Sequence, residues 1–321
     1  MNKGKLILGA LAAVGGAIAM GPRVRVRDEV SAPVLPGDLD AYLAGAEAQY
    51  ANITPGTEKT IVWAGERGVR TALSLVYLHG FTATRQETAP LSDLVARELG
   101  ANLFYTRLTG HGRSGRDLAD AHAHDWLADT VEAMAIGERI GERVVVIGTS
   151  TGGTLATWAA CRAELRAALA AVVLLSPNFG PANRFADLLL IPWGRHIADT
   201  VLGIEQHWQP YNERHGKYWT SRYPTRALLP MMALVRLVRN LPLEGIQVPV
   251  MMGYSREDRV VDVEKALRFV HRFGSPLKEI LDLGDINDRN DHVLAGDILA
   301  PHNTELLAAR VVDFIRSATL R

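Results

Sequence analysis

A single serine lies in a context that could make it a nucleophile. The sequence GTSTG at residues 148–152 matches the pattern G-x-S-x-G, directly after the apolar run RVVVIG and directly before a run typical of a helix. In a sharp strand-to-helix turn, glycines two residues to either side relieve crowding and leave the hydroxyl of Ser150 exposed. A phosphate-binding turn would need the spacing G-x-x-x-x-G-K-[ST] or G-x-G-x-x-G, which this segment lacks. We therefore predict that Ser150 is a nucleophile.

A second segment could stabilise the negative charge that forms when a serine attacks a carbonyl. In YLHGFTATRQE, residues 77–87, a His-Gly pair ends a predicted strand and permits a tight turn. Such a turn can direct the backbone N–H of Phe81 toward a developing oxyanion. The backbone N–H of Thr151, at the start of the helix after Ser150, would complete a two-donor oxyanion hole. We expect the side chain of His79 to have a structural role in this loop.

A histidine and a carboxylate are the groups that would activate such a serine, and the last quarter of the chain offers several of each. The candidate bases are His271 inside a predicted helix, His292 in a loop and His302 at the start of the final helix. A histidine buried in a helix is more often a packing residue than a base, which favours His292. Three carboxylates follow the apolar run VPVMMGYS. The last of them, Asp262, falls where a helix begins, a position typical of an N-cap.

The sequence HAHDW at residues 122–126 raises the alternative of a metal site, because two histidines and an aspartate can ligate zinc. The corresponding metallohydrolase pattern has a second histidine directly after the aspartate, where this chain has Trp126. Asp125 also precedes a helical run and is expected to be its N-cap. We predict no metal site. His111, in the run GHGRS, is expected to structure its loop, with a contact to substrate as the alternative.

The elements that must position these residues alternate between strand and helix. The predicted strands lie in KTIVWAG, ALSLVYLHG, ANLFYTRLTGHG, RVVVIG, AAVVLLSP, VPVMMGYS and LKEILDLG. Such alternation predicts a largely parallel sheet covered by helices on both faces. Between residues 178 and 243 the alternation stops, and the apolar runs LLLIPW and LLPMMALVRLVRNL have no predicted strand between them. We predict a helical insertion at 178–243 in an α/β core formed by residues 31–177 and 244–321.

Together these motifs resemble the α/β-hydrolase superfamily, over roughly residues 58 to 318. The resemblance rests on the strand with HGF, the loop LTGHGRS, the turn GTSTGG, the inserted helices, a late aspartate and a histidine near the end. It is strongest to the carboxylesterase and monoacylglycerol-lipase branch, with serine aminopeptidases as relatives. The resemblance implies the α/β-hydrolase fold with an inserted cap, no cofactor, and a triad in the order Ser, Asp, His. It selects Asp258 over Glu257 and Asp262, and His292 as the base.

The function that this resemblance implies is cleavage of carboxylic esters through an acyl-enzyme intermediate. The substrate would be a small apolar ester, short- to medium-chain or monoacylglycerol-like. The apolar runs of the insertion are expected to cover the sheet edge above Ser150 and bind the acyl chain, with ordinary core packing as the alternative. Acyl transfer and peptide hydrolysis use the same constellation. A non-catalytic, membrane-tethered binding protein is a further alternative, although binding does not need a complete triad.

Bulk composition excludes some partners and leaves the oligomeric state open. Lys plus Arg and Asp plus Glu number 35 each among 321 residues, so the chain has no net charge to attract nucleic acid. The single cysteine, Cys161, excludes an internal disulfide.

The N-terminal segment is typical of a membrane-interacting sequence. Two lysines precede an uncharged stretch at residues 6–21, and three arginines follow it. This layout fits a secretory signal, in which AIA at 17–19 resembles a cleavage site, and equally an uncleaved anchor. We therefore predict that residues 1–30 form a signal or membrane anchor with a basic flank. The protein would be membrane-anchored or exported to the periplasm or exterior, with cleavage left open.

Overall fold

The computed structural model describes residues 20–22, 24–286 and 289–319. The predicted signal or anchor therefore lies, up to residue 19, outside the described residues. Residues 24–30 run along the surface without regular secondary structure; Val24, Val26 and Val30 pack against the core, whereas Arg25 and Arg27 are exposed. The folded part of the chain thus begins before residue 31. Across the described ranges, no helix combines the length and the apolar character needed to cross a membrane.

A seven-stranded sheet forms the centre of the molecule. Its strands are β1 (Thr60–Val62), β2 (Thr71–Leu78), β3 (Asn102–Tyr105), β4 (Gly141–Thr149), β5 (Leu169–Leu175), β8 (Val250–Tyr254) and β9 (Lys278–Asp282). The spatial order is β1-β3-β2-β4-β5-β8-β9. Only β1 runs antiparallel, against β3, and every other pairing is parallel. The mostly parallel α/β sheet predicted from the sequence is confirmed.

Helices cover both faces of the sheet. The helices of the α/β core are α1 (Leu39–Glu47), α2 (Leu91–Leu99), α3 (Gly115–Asp120), α4 (Ala123–Ile140), α5 (Thr151–Cys161), α6 (Ala163–Arg166), α10 (Val263–His271) and α11 (Thr304–Thr319). Alternate residues of each strand point to opposite faces, so Val144 and Val146 of β4 join one hydrophobic cluster with α4 and α5, whereas Val145 joins another with α2 and α11. Burial on both faces explains the continuous apolar runs of the central strands.

The insertion at residues 178–243 contains strands as well as helices. Its elements are α7 (Gly194–Leu202), β6 (Glu205–His207), α8 (Glu213–Tyr218), β7 (Arg222–Pro224) and α9 (Leu228–Arg239). Because β6 and β7 pair as an antiparallel ribbon, the expectation of a strand-free insertion is wrong. Short 3-10 turns lie within the insertion at Ala186–Leu190 and Thr225–Ala227 and at its end at Leu243–Gly245; others lie in the core at Arg85–Glu87 and Pro301–Asn303. Helix α9 packs on α4 and α5 with Met232 fully buried, so the run LLPMMALVRLV is largely ordinary core.

Candidate active site

Ser150 lies on a sharp corner between β4 and α5. Its backbone has φ +52° and ψ −113°, a region that non-glycine residues rarely occupy and that commonly marks functional sites. The two predicted glycines are required there. A Cβ on Gly152 would lie 1.9 Å from the carbonyl oxygen of Leu78, and one on Gly148 would lie 2.4 Å from the carbonyl oxygen of Gly152. The side chain of Ser150 is therefore held at the start of α5, beside the end of β2.

The loop after β2 runs next to this corner. A Cβ on Gly80 would lie 3.3 Å from the Cβ of Ser150, so the two backbones are in close contact. His79 is buried and bridges two loops: its Nδ1 contacts the carbonyl oxygen of Gly80 at 3.0 Å, and its Nε2 accepts the Leu108 N–H at 3.0 Å. This is the structural role expected of His79. Burial lowers the pKa of His79 to about 4, so the ring is neutral at pH 7.

The side chain of Phe81, the residue after Gly80, packs in an aromatic cluster. Its ring lies 5.6 Å from the Tyr223 ring and 6.1 Å from the rings of His111 and Trp126, all in edge-to-face geometry. His111 is fully buried, and burial holds its pKa well below the usual range. Its Nδ1 contacts the carbonyl oxygen of Thr109 at 3.2 Å. His111 therefore belongs to the packing that fixes this loop.

Asp258 and His292 are in direct contact. Nδ1 of His292 lies 2.8 Å from Oδ2 of Asp258, whose side chain is completely buried. The other oxygen of Asp258 accepts the N–H groups of Val260, at 2.8 Å, and Val261, at 3.0 Å. These bonds hold the carboxylate in place in the loop after β8. Asp262 instead accepts the N–H of the third residue of α10 at 2.8 Å and is the N-cap predicted for it.

The end of β5 holds the two loops together. The N–H of Ser150 donates to the carbonyl oxygen of Leu175 at 2.8 Å. The next residue, Ser176, donates its hydroxyl to the carbonyl oxygen of His292 at 2.8 Å. Ser150, Asp258 and His292 thus converge at the carboxyl ends of neighbouring parallel strands, where open α/β sheets bind their ligands.

The ribbon of the insertion borders this site. Trp219 and Trp208 pack in a hydrophobic cluster with Ala83 of the loop after β2 and with Val293, which follows His292. The N–H of Thr220 donates to the carbonyl oxygen of Thr82 at 2.7 Å.

Two further hydrogen bonds join the insertion to the segment around His292. Asn290 donates to the hydroxyl of Tyr211 at 2.7 Å, and the amide of Asn212 donates to the carbonyl oxygen of Ile298 at 3.1 Å. Residues of the insertion therefore contact both the loop after β2 and the segment around His292, and no local pattern in the sequence indicates these contacts.

The remaining candidates lie apart from this constellation. His302 is exposed in the turn Pro301–Asn303. His271 was expected to be buried within a helix, but it is the last residue of α10 and is exposed. In HAHDW, Asp125 is not the N-cap: it is the third residue of α4 and accepts the N–H of His122 at 2.8 Å. Within the described ranges, no group of three or more His, Cys, Asp or Glu side chains could hold a metal ion.

One buried acid near the corner was missed. Glu87 is 2% exposed and accepts the N–H of Gly80 at 2.6 Å. Burial raises the pKa of Glu87 to about 7, against the opposing effects of its hydrogen bonds and of the charge on His292. The sequence around it, TRQETAP, is typical of an exposed turn and gives no signal of burial.

The class of protein follows from this fold and from a family match. The model of the alpha/beta hydrolase family matches residues 75–297, and the chain belongs to this family. Its similarities fall in the lipase and esterase branch. The thermostable monoacylglycerol lipase of Bacillus sp. (strain H-257) is 26% identical over 245 residues, which cover 75% of this chain and 86% of that protein.

Solved structures agree with this placement. A structure from the work on LipS and LipT, two metagenome-derived lipolytic enzymes, aligns with a TM-score of 0.66 and 25% identity, covering 83% of this chain and 99% of the other. A soluble variant of the monoglyceride lipase of Saccharomyces cerevisiae, in complex with a substrate analogue, aligns with a TM-score of 0.58 and 13% identity. That alignment covers 82% of this chain and 92% of the other, and it supports the fold.

Proposed function

We propose that this protein is a serine hydrolase that cleaves carboxylic esters with apolar acyl groups through an acyl-enzyme intermediate. The observation that carries the proposal is the 2.8 Å contact between His292 and Asp258, anchored to the same strand end as Ser150. The similarity to a monoacylglycerol lipase and to lipolytic enzymes supports an ester as substrate.

In the proposed mechanism each group has a defined role. Oγ of Ser150 attacks the ester carbonyl carbon while Nε2 of His292 takes its proton, and the N–H groups of Phe81 and Thr151 bind the oxyanion. Asp258 keeps the proton of neutral His292 on Nδ1 and stabilises the imidazolium that forms. The imidazolium then protonates the leaving alcohol. His292 then takes a proton from water, which attacks the acyl carbonyl carbon, and the imidazolium returns this proton to Oγ of Ser150 as the carboxylic acid leaves.

The apolar surroundings of His292 support an apolar substrate. Trp208, Trp219 and Val293 belong to one cluster beside the catalytic loops. Each buried methylene contributes about 0.8 kcal/mol, so kcat/KM should rise by up to about fourfold per acyl carbon until the available surface is filled. We expect a maximum at medium chain length and much slower turnover of the matching amides.

The test combines a covalent probe with a series of p-nitrophenyl esters of increasing acyl length. A fluorophosphonate should label the wild type and the control Ser317→Ala, an exposed serine of α11, but not Ser150→Ala. The Ser150→Ala variant should lose about 10⁴–10⁶ in kcat while remaining folded. Labelling of Ser150→Ala would refute the assignment. Preference for peptides would indicate a peptidase, and ester products formed with added alcohols would indicate acyl transfer.

We also propose that the protein associates with membranes through its N-terminal segment and the adjoining face of the insertion. Half of the exposed large apolar side chains of the described residues lie close together in sequence: Phe185, Leu188, Ile191, Trp193, Val201, Leu202 and Ile204. The described chain starts beside them, since the N–H of Trp193 donates to the carbonyl oxygen of Pro22 at 3.1 Å. Exposed Arg25, Arg27 and Arg195 line a surface depression together with Ile191 of this group and would favour anionic lipid.

Flotation with phosphatidylcholine–phosphatidylglycerol vesicles tests this second proposal on the full chain. The wild type should float with the vesicles. Val201→Glu with Ile204→Glu should lower hydrolysis of a vesicle-embedded ester and leave hydrolysis of a soluble ester unchanged. The control is Leu306→Glu, which changes an exposed apolar residue of α11, outside the insertion. A full-length protein that stays in the supernatant would contradict the proposal.

A further inference from the structure

The buried acid Glu87 has no task in the mechanism above, although it lies beside the reacting groups. It ends the short turn Arg85–Glu87, seven residues after Gly80. Within the described ranges it forms no ion pair with Lys or Arg that would explain its burial. Burying a carboxyl group is costly unless hydrogen bonds compensate, so its contacts indicate what it does.

Those contacts join the loop after β2 to the corner that carries Ser150. Oε1 of Glu87 accepts the Gly80 N–H at 2.6 Å and the Tyr77 hydroxyl at 2.8 Å. The same hydroxyl lies 3.1 Å from Oγ1 of Thr149, the residue before Ser150. One carboxylate oxygen therefore links the Gly80 peptide, β2 and the end of β4.

The segment after His292 also packs on this residue. A Cβ on Gly296, whose φ is +110°, would lie 2.5 Å from the carbonyl oxygen of Glu87. The charge of His292 also lowers the pKa of Glu87, in opposition to burial, which raises it. Glu87 thus lies where the loop after β2, the Ser150 corner and the segment after His292 meet.

Gly80 needs such external restraint because it has no side chain to limit its backbone. Its carbonyl oxygen is held by Nδ1 of His79 at 3.0 Å and by the Ala83 N–H at 3.3 Å. In a planar trans peptide the N–H points opposite to the carbonyl, so these bonds direct the Phe81 N–H to the other side of the loop. The bond from the Gly80 N–H to Glu87 fixes the second peptide plane of the same residue.

We propose that Glu87 is a positioning residue of the oxyanion hole: its carboxylate holds the Gly80 backbone so that the Phe81 N–H faces the oxyanion. This inference rests on the proposed function. Glu87 touches no reacting atom and transfers no proton. Its bond to Gly80 must persist while the oxyanion forms, because the full effect of a donor requires that it be in place before charge develops.

Three substitutions separate the reach, the hydrogen-bonding capacity and the charge of this side chain. Glu87→Met keeps the length and removes both acceptor oxygens. Glu87→Asp keeps the charge and retracts the carboxylate by one methylene, away from Gly80. Glu87→Gln keeps the length and one acceptor oxygen. Tyr77→Phe is the matched control, because it removes the other donor to Oε1 and leaves the Gly80 bond intact.

The readouts are kcat and KM for a p-nitrophenyl ester and the inhibition constants of two inhibitors of equal chain length. A trifluoromethyl ketone takes Oγ of Ser150 onto its carbonyl carbon, with the proton passing to His292, and so forms an oxyanion. The matching alcohol forms none. We expect Glu87→Met and Glu87→Asp to lower kcat by about 10²–10³, as for a lost oxyanion donor, with KM changed less than about threefold.

In those two variants the ketone should weaken by the same factor as kcat/KM while the alcohol is unaffected. Glu87→Gln and Tyr77→Phe should stay within about tenfold of the wild type, since a neutral acceptor keeps roughly half the strength of a charged one. If Glu87→Met does not fold, Glu87→Asp decides. The inference would be overturned if Glu87→Asp kept the kcat of the wild type, or if both inhibitors bound more weakly by the same factor. In either case an active wild type would leave the proposed function unaffected. An inactive wild type would count against the proposed function itself.

Discussion

Replacing Asp258 by asparagine should separate catalysis from stability. Oδ1 of Asp258 accepts two backbone N–H groups, at 2.8 and 3.0 Å, and the asparagine oxygen can keep both bonds. The amide nitrogen would then take the position of Oδ2, 2.8 Å from Nδ1 of His292. An amide donates where the carboxylate accepts, so it selects the tautomer with the proton on Nε2. That tautomer cannot accept the proton of Ser150.

The expected cost follows from this change of tautomer. We expect kcat to fall by about 10⁴, equivalent to about 5.4 kcal/mol in the activation free energy, with little change in the free energy of unfolding. Asp258→Ala should lower kcat as well and also destabilise the fold by about 1–3 kcal/mol, because it removes the acceptor of two backbone N–H groups, one of which belongs to the buried residue Val261.

Asp262 provides the matched control four residues away. Its carboxylate caps α10 through the Lys265 N–H at 2.8 Å, so Asp262→Ala should cost about 1 kcal/mol of stability and leave kcat unchanged. Steady-state kinetics on a soluble ester and urea unfolding of all three variants supply the measurements. If Asp262→Ala abolished turnover while Asp258→Asn retained it, the reasoning would be refuted.

Three further predictions concern the corner, the buried histidines and the N-terminal segment. Gly152→Ala should destabilise the fold and abolish labelling by the fluorophosphonate, because its Cβ would lie 1.9 Å from a backbone oxygen. The control Gly45→Ala lies in α1 with open space around it, and it should raise the free energy of unfolding in urea by about 0.5–1 kcal/mol. The free energy of unfolding should fall as pH drops from about 6.5 to 4, because burial lowers the pKa of His79 and of His215 to about 4, so that only the unfolded chain binds protons there. Glu87 opposes this trend between its unfolded pKa and about 7, because burial raises its pKa in the folded chain. A free energy of unfolding in urea that does not change over this pH range would contradict the prediction. Removal of residues 1–19 should release the protein from vesicles and leave its melting temperature unchanged. Removal of residues 1–29 should lower the melting temperature, because it deletes the core contacts of Val24 and Val26. Equal melting temperatures of the two truncated proteins would contradict this prediction.

The sheet and the corner were readable from the sequence because their signals are local. The apolar runs of β4 and β5 exceed what a half-exposed strand needs. The steric demand on Gly148 comes from the Gly152 backbone in the same turn, although the demand on Gly152 comes from Leu78 of the neighbouring strand. Asp258 could be separated from Asp262 because an N-cap has a recognisable position at a helix start.

What escaped the sequence depends on contacts between distant segments. Strands β6 and β7 have three residues each, too few for an alternating pattern to be recognised in the sequence, so only their mutual pairing defines them. Glu87 is buried because three separate loops meet around it, and no local pattern encodes that meeting. The burial of α9 is likewise set by its partners α4 and α5, since an apolar helix face has the same pattern whether it covers a substrate or a core.

The hydrogen bonds between the insertion and the two loops of the proposed site limit how freely the insertion can be exchanged. Thr220 is bonded to the loop after β2, and Tyr211 and Asn212 are bonded to the segment around His292. Exchanging the insertion for that of a relative, to change substrate range, would therefore also remove supports of the reacting groups. Chimeras should retain activity only when residues 289–298 and the loop at 80–84 are transferred together with the insertion. Under the proposed mechanism, a change of the insertion would therefore alter substrate range and activity together.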